Sequence, residues 1–321
     1  MANTTIPANL VPKVWVSKVQ VEGKKQSYFN KFTAKDGSKP VHVTTELKEK
    51  KGDTITFSLQ MDLTGAGVTG NTTLKGAEEA LVLYDFPVSI DQVRNAVTMY
   101  DWDTQKPPYE MWPLIKNALV KWFANWQDNT LITKLTASPT ADAVVYASTA
   151  TAENQLTAAM KLDTTLISKA KRTAIMHSPK VVPIMVDGEE YFIMLVGTYA
   201  ARDLKTDTVW VTAQNQAANR GKDNPLFTGA LGTWDGVVLY EYERISNTLT
   251  GATSANVVHN LLLGQQAACY AIAKDMYPIK QEDDYGNVLG QGVAFWGGIA
   301  KTKYNSKDYG IIQVMTGGAV G

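Results

Sequence analysis

An α+β fold is predicted by three features of the chain. Residues 54–63 alternate apolar and polar side chains without a break, the period of a strand with one covered face. Ile115, Leu119, Trp122 and Trp126 fall at i, i+4, i+7 and i+11, with Ala118 and Phe123 beside them, the period of a helix with one buried face. Residues 180–186 and 190–196 are two apolar runs joined by Asp187-Gly188, a pair suited to a hairpin turn.

Taken in order, residues 1–35 form an arm. Pro7 and Pro12 break helix early, and Trp15, Tyr28, Phe29 and Phe32 are spaced along it. A helix from about residue 14 to 32 is compatible with this pattern, weakened by Gly23. An arm this apolar needs its own body or a neighbour to pack on. Residues 36–90 read as a projecting two-stranded ribbon, with its foot at 40–45 and a charged turn at 48–53. On the outgoing strand Ile55, Phe57, Leu59, Met61 and Leu63 share one face, and Thr54, Thr56, Ser58, Gln60 and Asp62 the other. Residues 80–90 are the return strand.

Between the two strands lies GAGVTG, residues 65–70, which fits the glycine pattern of a dinucleotide-binding loop. Its surroundings do not. The preceding strand alternates where a central parallel strand would be apolar on both faces. After Gly70 no apolar stripe at helical spacing begins, so a phosphate would lack a helix N-terminus. Asp85 stands near the distance of a ribose-binding acid by coincidence. The glycines instead suit a mobile ribbon tip, where they supply positive φ.

Pro107-Pro108 opens the strongest helix, which reaches about Leu135 and spans ~30 Å at 1.5 Å per residue. Pro113 is tolerated in its first turn, and its aromatic face reads as core. Residues 136–152 read as a loop. A second helix is expected over 152–174, carrying Leu156, Met160, Leu166, Ile167 and Ala170. The hairpin at 180–196 is followed by short helices at 200–204 and 208–219 and a strand at 236–242. A helix is expected over 256–276, then glycine-divided strands to the end. No repeat or low-complexity run interrupts this order.

The 321 residues suffice for two domains or one elaborate one. Formal net charge is 0, so the chain lacks the surplus of Lys and Arg by which proteins grip nucleic acid or anionic membranes. The N-terminal sequence has no signal-peptide pattern, and no window approaches the ~18 apolar residues of a spanning helix. Charged residues are 19%, below the roughly 25% of a typical globular chain, which suits a protein that covers much of its surface with other chains.

Catalytic sets are missing. His42, His177 and His259 have no metal-binding spacing, and no G-x-S-x-G, P-loop or C-x-x-C occurs. Cys269, alone of its kind, sits in an apolar segment as an inert thiol, ~80° around the expected helix from His259 at 100° per residue. Residues 282–284 form an acidic triplet without EF-hand spacing. No catalytic residue, cofactor or metal site is assigned. The loop 219–232, with Arg220, Asn224, Phe227 and three glycines, reads as a contact loop.

In this order the segments resemble those of tailed-bacteriophage major capsid proteins with the HK97-like fold, more specifically of the coliphage N-four type. The resemblance is carried by Gly52-Asp-Thr-Ile-Thr-Phe57 with the GAGVTG tip, by 81–84 leading to Ile90-Asp-Gln-Val-Arg94, by 201–207, by Arg220-Gly-Lys-Asp-Asn-Pro-Leu-Phe-Thr-Gly-Ala-Leu-Gly232, and by 307–312. It departs at Val196-Gly-Thr-Tyr199, where a His-Pro step is expected. The resemblance implies an N-terminal arm (1–35), an extended hairpin loop (36–90), a peripheral domain with a spine helix at about 107–135 (91–174), an axial domain (175–300) and a C-terminal strand region (301–321). It implies a structural protein that self-assembles into hexamers and pentamers of an icosahedral head. Double-stranded DNA is enclosed without sequence-specific binding, and no membrane is involved. Portal, scaffolding and cement or decoration proteins are the implied partners. Subunit contacts are expected at Trp15, Phe29, Phe32, Phe57, Leu59, Met61, Gly65, Gly67, Gly70, Arg220, Asn224 and Phe227. The alternatives are another self-assembling virion part such as a tail tube, and a nucleotide-binding enzyme using GAGVTG.

Overall fold

The computed structural model describes residues 26–48, 52–61, 63, 65–108, 110–186, 188–217 and 230–318. Trp15, Arg220, Asn224 and Phe227 lie outside the described residues. The chain enters through β1 (Thr33–Ala34) and β2 (Val41–Thr44), goes out along β3 (Thr54–Gln60), returns along β4 (Leu83–Ser89) and continues as β5 (Asp91–Tyr100). A short helix α1 (Asp101–Thr104) leads to the long helix α2 (Met111–Thr136), then β6 (Val144–Tyr146) and α3 (Thr164–Met176). The hairpin β7 (Ile184–Val186) and β8 (Glu189–Val196) precedes α4 (Thr198–Leu204) and α5 (Thr208–Ala217). The remainder is β9 (Gly232–Trp234), β10 (Val237–Glu241), β11 (Asn247–Thr248), β12 (Asn256–Leu263), β13 (Ala268–Asp283), β14 (Val288–Lys301), β15 (Lys303–Tyr304), β16 (Lys307–Asp308) and β17 (Ile311–Gly318).

Two sheets organise these strands. The first runs β1-β2-β13-β14-β5, and the second β6-β17-β12-β8-β10-β9 with β7 and β11 at its margins. In the second sheet β12 and β17 are buried along their whole length. Helix α2 packs on the first sheet: Phe123 and Trp126 meet the Phe295 ring with centroids 5.4 and 5.8 Å away. Segment 268–301, placed by sequence with the axial region, pairs through β14 with β5 of segment 91–174. The C-terminal β17 joins the second sheet beside β12.

The helix expected over 256–276 is two strands, β12 and β13, one in each sheet. A strand covered on both faces is a continuous apolar run and shows no alternation, so its sequence mimics a buried helix. The helical angle between His259 and Cys269 therefore has no meaning. His259 lies in the second sheet, and Cys269 in the first, where burial pushes its thiol pKa up to about 11.

The second helix begins at Thr164, not near 152, because the Asp163 carboxylate accepts from Leu166 N at 2.7 Å and caps it there. The expected loop 136–152 contains β6, parallel to β17, and the foot at 40–45 contains β2, a member of the first sheet rather than of the ribbon.

Buried polar groups fasten the elements together. Lys301 Nζ donates to Asp308 Oδ2 at 2.8 Å and to Ala137 O at 2.7 Å, just past α2, and Asp308 is 1% exposed. Asp128 on α2 accepts from Ser27 Oγ at 2.6 Å and Tyr28 N at 3.0 Å. That anchor seats Phe29 and Phe32 in the body.

Candidate assembly interface

β3 and β4 form an antiparallel pair from Thr54↔Ser89 to Gln60↔Leu83. Burial on β3 alternates residue by residue, as expected of a ribbon with one covered face. Its base rests on the chain's own first sheet. Ile55, Phe57, Phe86, Val88 and Ile90 gather over Cys269, Ala271 and Ala300. Gly298 lies directly beneath: a Cβ there would stand 2.1 Å from Ser89 O, so only glycine lets the ribbon lie this close. Phe57 is half-buried, with its ring 5.3 Å from that of His42. Leu59 and Met61 continue the same half-buried face outward.

Past Met61 the pairing ends, and the tip is held by few contacts. Gly65 N donates to Glu79 Oε2 at 2.6 Å across the tip. Gly67 and Gly70 have φ of 69° and 66°, the left-handed region that glycine enters freely. Leu63, Leu74, Leu81, Val82 and Leu83 are all exposed around this tip. Scattered exposed apolar residues are ordinary, but four leucines and a valine flanking one glycine-rich loop make an apolar patch that wants a cover.

Two expected contact residues are corrected. Phe29 and Phe32 are 1% and 3% exposed, packed against Tyr242 and Tyr240, with Lys31 Nζ over the Tyr28 and Tyr240 rings. They belong to the chain's own core and present no face to a neighbour. Sequence reasoning also missed a second exposed group. Val97, Tyr100, Trp102, Trp112 and Leu114 are exposed where β5, α1 and α2 meet. Trp102 and Trp112 were visible as tryptophans, but nothing in their spacing distinguished a surface indole from a core one.

The three histidines stand apart. His42 Nε2 lies 3.0 Å from Lys35 O, His177 Nδ1 lies 2.9 Å from Pro179 O, and His259 Nδ1 lies 2.9 Å from Gln313 Nε2. Among the described residues no cluster of three or more His, Cys, Asp or Glu could hold a metal, and no helix is long and apolar enough to cross a membrane. No helix lies between Gly70 and β4, so a phosphate at GAGVTG would meet no helix N-terminus there.

A seated ribbon with an uncovered tip, a long helix backing a mixed sheet and a second buried sheet make an HK97-like α+β capsid fold. The chain belongs to the phage capsid protein family, whose sequence profile matches residues 4–161 and 136–320. It is 26% identical to the major capsid protein of Pseudomonas phage KPP25, over 94% of this chain and 93% of that one. Among solved structures, the capsid of Ralstonia phage GP4 is 25% identical over 91% of both chains with a TM-score of 0.83. The cyanophage Pam1 capsid shares the fold at 24% identity and a TM-score of 0.82, covering both chains in full. The Helicobacter pylori bacteriophage KHP30 capsid does so at 17% identity and 0.73 over 91% of both. The chain is thus a phage major capsid protein, a structural and self-associating component of the virion shell and not an enzyme.

Proposed function

We propose that copies of this chain assemble as hexamers and pentamers of an icosahedral head around double-stranded DNA, with the ribbon tip as the reaching element. The observation that carries this reading is the contrast within the ribbon. Its base is seated on the chain's own sheet, while Leu63, Leu81, Val82 and Leu83 at its far end are uncovered. A two-stranded ribbon is marginal alone in water, so the far half becomes stable when a neighbour covers it. The exposed aromatic surface around Tyr100, Trp102 and Trp112 supplies an apolar acceptor on the adjacent copy. In this reading the first sheet with α2 is the peripheral domain and the second sheet the axial one. Leu59, Met61, Gly65, Gly67 and Gly70 lie in subunit contacts, as do Trp15, Arg220, Asn224 and Phe227 of the arm and the 219–232 loop. Synthesis occurs in the host cytoplasm, and portal, scaffolding and decoration proteins complete the head. Interfaces of obligate assemblies bury ~2,000–5,000 Å², an area the ribbon supplies only with such a partner surface.

Deleting residues 65–70 tests the reading. The body is expected to stay folded by circular dichroism while negative-stain electron microscopy shows no closed shells. A variant that still closes shells, or one that unfolds throughout, overturns it.

A further inference from the structure

The two sheets end in four edge strands, and three of them are blunt: β1 has 2 residues, β6 has 3 and β9 has 3. The fourth, β5, has 10, and it pairs with β14 from Asp91↔Gly297 to Tyr100↔Val288 without a bulge. Long open edges are ordinarily broken by lysine, proline or a bulge. β5 has none of the three. Two local bonds show which main-chain groups lie on its open side. Gln92 N donates to Asp91 Oδ1 at 2.7 Å, and Ala96 N to Asn95 Oδ1 at 2.9 Å, so neither N–H is given to β14. In an antiparallel ladder alternate residues share one direction. The N–H and C=O groups of Gln92, Arg94, Ala96 and Thr98 therefore all face the open side, and all four residues are exposed. Among the described residues no main-chain bond reaches Arg94 or Thr98 from that side.

A row of main-chain donors and acceptors is matched by another extended strand. β3 and β4 are too short to cover it, at 7 residues each, and β4 carries Pro87, which has no N–H to give. β5 of a second copy has the same length and the same open side. We propose that β5 pairs antiparallel with β5 of a second copy across a two-fold axis through Asn95, making one continuous sheet from two. Charge selects this register. Centring on Ala96 brings Asp91 beside the partner's Asp101, and centring on Arg94 sets that arginine against its own copy. With Asn95 at the centre, residues 91–99 pair throughout. Arg94 then stands opposite the partner's Ala96, Gln92 opposite the partner's Thr98, and the exposed Val97 is covered by the partner's Val93. The open-side residues exchange about eight main-chain hydrogen bonds, and the Asp91 and Asn95 side chains release the two N–H groups they cap. The contact is isologous, as a two-fold axis requires. It rests on the reading that copies assemble into a closed shell, and it is separate from the contact made by the ribbon tip.

The test uses the full-length chain with a cysteine placed on or off the axis. Cys269 is buried and does not compete. Asn95→Cys sets two Cα atoms ~4.5 Å apart across the axis, within disulfide reach, whereas Gln92→Cys leaves them ~20 Å apart. Mild oxidation of purified shells is expected to give a disulfide dimer of Asn95→Cys on non-reducing gels and to leave Gln92→Cys monomeric. In the unaltered chain, hydrogen exchange over residues 91–99 is expected to slow about tenfold or more between the unassembled chain and the shell. The proposal is overturned if Asn95→Cys gives no dimer, if Gln92→Cys crosslinks equally, or if exchange does not slow. Slowed exchange without the dimer assigns the edge to a different strand and overturns it too. Shells that close without the dimer leave the assembly reading standing and remove only this one. If no shells form, the assembly reading fails, and the same cysteine contrast in the concentrated chain decides the strand pairing. Should Asn95→Cys fail to fold, co-assembly of Val93→Cys with Val97→Cys, which stand opposite each other, takes its place.

Discussion

The ribbon of β3 and β4 and the paired strands β12 and β17 are both antiparallel, yet they obey opposite rules. Every residue of β12 and β17 is buried, and the pairing Asn256↔Gly318 to Leu263↔Ile311 is covered by the chain itself. On β3 no residue is buried, and on β4 only Val88 is. One region is complete within a single copy. The other leaves most of its residues uncovered by its own chain. Mutations in the first should therefore be read as stability, and those at the ribbon tip as association.

The sharpest break of this comparison comes at the fastener of the self-contained region. Asp308→Ala leaves Lys301 buried without its counter-ion and should cost ~3–5 kcal/mol in urea unfolding of the unassembled chain. Close behind stands Leu262→Ala in β12, a fully buried residue flanked in register by Met194 on β8 and Ile312 on β17. A cavity there should cost ~2–5 kcal/mol by the same measurement. The ribbon tip gives the opposite signature. Leu81→Ser with Leu83→Ser should move unfolding by no more than about 0.5 kcal/mol and yet sharply lower the yield of closed shells in sedimentation. A large stability loss at the tip would erase the distinction.

The smallest effect is on pH. Burial holds the His259 imidazole below its ordinary value of 6.5, although Glu153 pulls the other way. The folded chain then binds this proton less readily than the unfolded chain, so stability falls as pH drops below about 6.5. Burial alone would raise the Glu153 carboxyl. Hydrogen bonds from Thr250 and Thr248, with His259 nearby, outweigh it and hold the carboxyl below its ordinary range. Its contribution is present above pH ~4.3 and is lost on further acidification. His259→Gln should flatten the urea midpoint between about pH 6.5 and 5, leaving the drop at lower pH.

The same contrast explains what was legible in the sequence. Ile55, Phe57 and Leu59 alternate with Thr56 and Ser58 because one side of the ribbon faces water, and that imbalance writes a period into the chain. Asn256 to Leu263 faces no water on either side, so its residues record only that they are buried, and a helix was the natural misreading. In hindsight Val257, Val258 and Asn260 are poor helix formers, and Gly264 closes the run too early for a helix. On α2 the period was visible, but the face was not quite where the aromatic residues put it. Trp122 and Trp126 are half-buried, while Gln127 and Asp128 are buried. Those two polar residues face inward to meet Tyr270 and the arm backbone, partners far away along the chain. Phe29 and Phe32 looked like contacts for a neighbour for a related reason: nothing local shows that Tyr240 and Tyr242 wait for them.

The short passage from β12 to β13 has a mechanical meaning. Gly264 N donates to Gly310 O, Gln265 N to Val182 O, Gln266 N to Lys39 O and Ala268 N to Pro40 O, each between 2.8 and 3.0 Å. Residues 264–267 cross from one sheet to the other, and the crossing and the first residue of β13 are riveted to three parts of the chain, at 39–40, 182 and 310. A hinge requires a few residues free to change φ and ψ, and this joint has none to spare. Load applied to one sheet is therefore expected to pass into the other through this joint rather than to bend it.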